Sequence, residues 1–156
     1  MKLTEEILNR LLEIFNITEK IEFDVKEDLK VEIEPDLFKN FRHRKIRSLR
    51  LKSRNENQIK LVGNYSTLFE PLKEHLEELN LSLSFNCEFN FLKDLKHLKK
   101  LNLSESYFLN VMPIFKEQSN QLTHLDLSKT RLIISDKTIF NDLKCLKHLD
   151  LSEVEL

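Results

Sequence analysis

One heptapeptide recurs four times along the second half of the chain and leaves few folds open. Leu76-Glu77-Glu78-Leu79-Asn80-Leu81-Ser82 returns as Leu98-Lys99-Lys100-Leu101-Asn102-Leu103-Ser104, as Leu122-Thr123-His124-Leu125-Asp126-Leu127-Ser128 and as Leu146-Lys147-His148-Leu149-Asp150-Leu151-Ser152, at steps of 22, 24 and 24 residues. The last two leucines of each copy stand two positions apart. On a strand they point to one side, and the residues flanking them point to the other. A second apolar set follows: Phe108, Val111, Ile114 and Phe115 in one unit, Leu132, Ile134, Ile139, Phe140 and Leu143 in the next. The spacing of Ile139, Phe140 and Leu143 suits a helical turn. A single unit cannot cover its own apolar side, so neighbours must stack, strand beside parallel strand.

This pattern resembles the leucine-rich repeat, with its LxxLxL core and period of about 20 to 29 residues. The resemblance implies an α/β solenoid with parallel strands on a concave side and a helical or irregular convex side. A degenerate earlier copy, Ile46-Arg47-Ser48-Leu49-Arg50-Leu51-Lys52, stands 30 residues before the first full one, so an irregular loop or a longer convex helix is expected between them. The repeats therefore occupy residues 46–156: one degenerate copy, then four, the last incomplete. The family's asparagine three residues past the last leucine is Ser84, Ser106, Thr130 and Val154 here, which predicts a loosened turn ladder.

Residues 1–45 read as an N-terminal cap containing helix. Thr4-Glu5-Glu6 can start one, with Leu3, Ile7, Leu8, Leu11, Leu12 and Phe15 on its apolar face. Ile21-Phe23-Val25 and Leu29-Val31-Ile33 alternate as two short strands or a hairpin. Pro35 then opens a second short helix through Phe38 and Phe41. The chain stops at Leu156 inside a repeat, which predicts either a fragment or an end covered by another chain.

Leucine supplies 30 of the 156 residues, alanine and tryptophan are absent, and Gly63 is the single glycine. Phosphate-cradling loops and nucleophile elbows need several glycines, so dinucleotide folds, P-loop NTPases and elbow-type serine hydrolases are excluded. The net charge of −1 gives no general attraction to nucleic acid or anionic membrane. No apolar stretch is long enough to span a bilayer and the first residues lack a secretory signal, so a cytoplasmic or nuclear protein is expected. Cys87 and Cys145 read as two small buried thiols of a reducing compartment.

The outward strand positions form columns about 4.8 Å apart from rung to rung. One is Ser48, Glu78, Lys100, His124 and His148; the next is Arg50, Asn80, Asn102, Asp126 and Asp150; the third is Lys52, Ser82, Ser104, Ser128 and Ser152. From Glu78 to Ser152 these columns are the candidate surface for a protein partner. Two His-x-Asp pairs on adjacent strands raise the remote alternative of a zinc-like site, but same-face residues two apart lie about 7 Å from each other, long for shared ligands. The same distance defeats a Ser-His-Asp triad from His124, Asp126 and Ser128. No catalytic residue, metal or cofactor is therefore assigned. The basic belt Arg42-His43-Arg44-Lys45, with Arg47, Arg50, Lys52 and Arg54, lacks interleaved aromatics for base stacking and reads as a solvated strand offsetting the acidic cap.

A narrower likeness concerns Leu122 to Leu132, which follows the pattern LxxLDLSxTxL. In this it looks like the repeats of the Zyg family of substrate receptors for cullin-RING ubiquitin ligases. That resemblance implies an adaptor role with elongin C and a cullin as partners, Leu3, Ile7 and Leu11 matching the elongin-C-binding helix and Pro35, Phe38 and Phe41 the cullin box.

Overall fold

The computed structural model describes residues 2–3, 10, 19–25, 30–52, 59–61, 64–82, 89–108, 118, 121–132 and 138–155. Its strands in chain order are β1 (Lys2–Leu3), β2 (Lys20–Asp24), β3 (Val31–Ile33), β4 (Ser48–Lys52), β5 (Ile59–Leu61), β6 (Glu78–Asn80), β7 (Lys100–Asn102), β8 (Tyr107–Phe108), β9 (His124–Asp126), β10 (Arg131–Leu132) and β11 (His148–Asp150). Six of them, β2, β4, β6, β7, β9 and β11, pair in that order into one parallel sheet. The step between paired residues is 28, 30, 22, 24 and 24, so the register survives large changes in the length of chain between rungs.

The join between rungs is repetitive down to the atom. The backbone carbonyl just before a strand accepts two N–H groups from the next rung: Glu19 from Arg47 and Ser48, Arg47 from Glu77 and Glu78, Glu77 from Lys99 and Lys100, Lys99 from Thr123 and His124, Thr123 from Lys147 and His148. At the other end the direction reverses, and the N–H groups of Leu81, Leu103 and Leu127 donate to Asn102, Asp126 and Asp150. Inside, the paired leucines form the core. Leu49, Leu51, Leu79, Leu81, Leu101, Leu103, Leu125 and Leu127 are all buried, as the two-residue alternation requires.

The sheet begins earlier than the heptapeptides do. Ile21 and Phe23 sit in register with Leu49 and Leu51, so β2 is a rung of the same ladder. The two alternating runs near the N-terminus are indeed two strands, but they do not form a hairpin. β2 joins the six-stranded sheet, whereas β3 lies in a separate parallel sheet of order β1-β3-β5. Hence the side opposite the main sheet is not only helical or irregular: it holds this sheet and the parallel pair β8 and β10. Between β5 and β6 the chain forms one short helix, α1 (Tyr65–Phe69), and a 3-10 turn at Glu70–Leu72. Further 3-10 turns cover Phe89–Asp94 and Ile139–Asp142, the latter with Leu143 buried beside it as the apolar spacing predicted.

Leu3 belongs to β1 rather than to a helix. Ile7 and Leu11 lie outside the described residues. From Pro35 the chain turns and becomes 3-10 at Lys39–His43, with i to i+3 bonds from Leu37 to Glu34, Lys39 to Asp36 and Phe41 to Phe38. Phe38 and Phe41 are fully buried, edge to face with ring centroids 5.5 Å apart. Cys145 is exposed, not buried; Cys87 lies outside the described residues. Gln118 is a buried polar side chain whose Nε2 donates to the carbonyl of Leu92, and its Oε1 accepts from Gln121 Nε2 at 2.8 Å.

Each later rung leaves the sheet through the same turn. The side-chain Oδ1 of Asn80, Asn102, Asp126 and Asp150 accepts the N–H of the serine two residues on, an Asx turn. The next residue is left-handed: Glu105 at φ 58°, Lys129 at φ 55° and Glu153 at φ 56°. A β-carbon is disfavoured in that region, so Lys129→Gly is expected to raise the unfolding free energy by about 0.5–1 kcal/mol, net of glycine's extra freedom when unfolded. Urea denaturation of the two proteins checks it. The departures from the family's asparagine also become clear here. The hydroxyls of Ser106 and Thr130 are buried and donate to backbone of their own rung, at Ser104 and Leu127, while the turn's backbone bonds on to the next rung, Glu105 N–H to the Ser128 carbonyl and Lys129 N–H to that of Ser152.

Candidate functional site

The outward residues of β4, β6, β7, β9 and β11 line a trough of about 490 Å³. The registers place Ser48, Glu78, Lys100, His124 and His148 in one row, and Arg50, Asn80, Asn102, Asp126 and Asp150 in the next, as the spacing of the heptapeptides predicted. β2 extends the rows with Lys20 and Glu22, which the repeat count left in the cap.

The trough has two electrostatic halves. Towards β2 its charges are paired within and across rungs. Glu22 meets Lys20 and Arg50, each at 3.2 Å, and Glu78 meets Lys100 at 2.6 Å. At the entrance to the strands Glu77 bridges Lys99 at 2.7 Å and Arg47 at 3.7 Å. The Lys20 bond, helped by Arg50, holds the Glu22 carboxyl below its ordinary range, and the Lys99 bond does the same for Glu77. These arginines account for part of the basic belt. Of the others, Arg42 pairs with Glu70 at 2.5 Å, and the Arg44 guanidinium lies 5.8 Å from the centre of the Phe41 ring. Surface pairs of this kind each contribute less than about 1 kcal/mol, and those of Arg42, Arg47 and Arg50 offset part of the belt's charge.

Towards β11 the character changes. The His124 and His148 rings stack with centroids 4.3 Å apart and planes 20° apart. Desolvation, then the neighbouring His148, lowers the His124 pKa. Its tautomer follows from its neighbours: Thr123 Oγ1 gives its one hydrogen to the Lys99 carbonyl at 3.0 Å, so it accepts from His124 Nδ1–H at 2.9 Å. Neutral His124 then presents Nε2 as an acceptor. Stacked rings aim their lone pairs side by side rather than at a common point, and among the described residues no group of three or more His, Cys, Asp or Glu is placed to hold a metal ion. Asp126 spends Oδ1 on the N–H and hydroxyl of Ser128 and Oδ2 on Asn102 Nδ2 at 2.7 Å. Asp150 has its Oδ1 on Ser152 N–H and hydroxyl, and these two bonds lower its pKa.

The serine column is therefore not the open row expected. Ser104, Ser128 and Ser152 donate their hydroxyls to the preceding Asn or Asp, and Ser104 is buried. Ser82 uses its N–H the same way. These bonds tie the side chains of the second row to the turn that follows each strand. Sequence reasoning placed the right residues on this side of the sheet and missed that two columns are bonded into one.

The positions matched to a cullin box are not on this face. Phe38 and Phe41 have no exposed surface, and Pro35 lines a separate hollow with Asp36, Lys39, Arg42, Ser66, Thr67, Glu70 and Pro71. No helix among the described residues is long and apolar enough to cross a membrane.

No protein-family model matches the chain. It is similar to the receptor-like protein EIX1 of Solanum lycopersicum, 42% identical over 100 residues that make up 60% of this chain. The chain spans 9% of that relative's length.

Proposed function

We propose that the chain is a leucine-rich-repeat solenoid acting as a non-enzymatic protein-interaction module inside the cell, in cytoplasm or nucleus, with a protein partner seated in the trough of the six-stranded sheet. The supporting observation is the two rows of outward side chains in register across β4, β6, β7, β9 and β11, many already fixed by hydrogen bonds to their neighbours. Side chains ordered in advance forfeit little entropy when a partner arrives. The likeness to a receptor-like protein agrees with recognition rather than chemistry.

The test keeps the fold while changing the face. Glu78→Lys combined with Lys100→Glu retains an ion pair between β6 and β7 but inverts its direction. Affinity purification with mass spectrometry from cells producing the wild type identifies the partner. The swapped protein is expected to bind it roughly tenfold more weakly, the scale of one misplaced rim charge pair, with an unchanged circular dichroism spectrum. Equal binding by both proteins refutes the trough as the docking surface.

The narrower version, a ubiquitin-ligase adaptor, needs elongin C and a cullin in that purification and their loss on Leu3→Glu. The complete burial of Phe38 and Phe41 weighs against it.

A further inference from the structure

The residue that opens the turn after each strand has one structural task. Asn80, Asn102, Asp126 and Asp150 each offer Oδ1 to the N–H of the serine two positions on. An amide oxygen suffices for this at β6 and β7, so the negative charge that enters the row at β9 is not required by the turn. Nor is it met by a cation. Among the charged residues of the trough, Arg50 is held by Glu22 and Lys100 by Glu78, whereas Asp126 is bonded, among the described residues, to the neutral donors of Asn102 and Ser128. β9 has β7 on one side and β11 on the other, so these are the surroundings of an interior rung.

On the same side of the same strand stands His124. Its Nδ1–H is spent on Thr123 Oγ1, and its ring is held against that of His148 with centroids 4.3 Å apart, which leaves Nε2 as its acceptor on the trough lining. Both side chains are half-buried, and Leu125 between them is in the core. Resting on the reading of the trough as a docking surface, we propose that its β9 rung takes an arginine side chain of the partner, the guanidinium lying between His124 and Asp126 and donating to Nε2 of the one and Oδ2 of the other.

Charge and distance together select that group. His124 is neutral at pH 7, since desolvation and the neighbouring His148 lower its pKa, so the pair presents two acceptors and one negative charge. A carboxylate or phosphate is repelled there. Residues two apart on a strand are about 7 Å from each other, and side chains standing straight out from the sheet keep that separation. A lysine ammonium bonded to both acceptors would span at most about 5.8 Å, two hydrogen bonds of about 2.9 Å meeting at one nitrogen. A guanidinium carries its donors on separate nitrogens in one rigid plane, and its own width closes the difference. Lys100, the nearest cation along the row, is occupied by Glu78 at 2.6 Å and does not oppose it.

The probe is a phage-displayed library of random linear peptides, panned on the full chain near neutral pH. The selected peptides are expected to share one arginine. By fluorescence anisotropy, a synthetic copy of the tightest should bind roughly tenfold more weakly when that arginine becomes lysine, and when the protein carries Asp126→Asn or His124→Phe. Asp126→Asn places at β9 the residue type that already serves the turn at β6 and β7, and His124→Phe keeps a ring against His148, so both variants should retain the wild-type circular dichroism spectrum. The lysine peptide tests the assignment on the unaltered protein. Peptides that weaken on the combined Glu78→Lys and Lys100→Glu exchange, yet share no arginine, accept lysine in its place or bind Asp126→Asn as tightly as the wild type, overturn the arginine site and leave the trough as the docking surface. A library that yields no peptide, or peptides indifferent to all of these exchanges, overturns both.

Discussion

Replacing Phe91 by alanine is expected to lower the unfolding free energy by about 3–5 kcal/mol, the cost of deleting a buried aromatic side chain. Phe91 belongs to the 3-10 turn at Phe89–Asp94 and is 1% exposed. It stacks on Phe69 with centroids 4.2 Å and planes 10° apart, and lies 6.2 Å from the Tyr65 ring. Phe69 and Tyr65 come from α1, one rung earlier. The stack therefore joins two consecutive units behind the sheet, where the chain between strands is long and varied. Phe91→Leu restores part of the buried area without the ring contact, and should recover more than half of the loss. Equilibrium urea unfolding of the three proteins, read at constant slope, measures both effects. A loss below about 1 kcal/mol for Phe91→Ala would mean that the site closes over the cavity and that the ring does not couple the rungs.

The second large effect concerns the leucine ladder itself. Leu125→Ala is expected to cost about 2–5 kcal/mol, because Leu125 is enclosed between Leu101 of β7 and Leu149 of β11 and the flanking backbone is held in register on both sides. The identical substitution at Leu149 should cost about 1 kcal/mol or less, since a side chain already 41% exposed loses less burial. The contrast isolates position in the stack from residue type. It is measured by equilibrium urea unfolding of the two variants beside the wild type. Equal losses at the two sites would show that the ladder is not packed rung on rung.

Much of this was legible in the sequence for a physical reason. A leucine that must be buried on every rung leaves a period, and the period fixes both the parallel sheet and the rows on its outer side. Lys100, His124 and His148 line up because Leu101, Leu125 and Leu149 do. The rung at β2 escaped because Thr18 stands where the first leucine of the pattern would be, so only Ile21 and Phe23 remain and they suit any short strand. The serine column was misread for a subtler reason. Alternation says which side a residue occupies, but not whether its hydroxyl is already taken by the residue two positions before it. Nothing in the identities of Glu105 and Lys129 announces a left-handed backbone, because residues of those types avoid it elsewhere. The exposure of Cys145, set between Leu143 and Leu146, depends on the turn that carries it.

The two-donor carbonyl at the entrance to each strand has an evolutionary consequence. Every unit attaches to the one before it through the same atoms, whether 22 or 30 residues separate them. Duplication of one unit would thus lengthen the sheet and its outer rows by a fixed increment without disturbing what exists, and insertions behind the sheet would leave those rows unaltered. A gene built this way can change the length of the sheet and the identity of its outward side chains as separate variables.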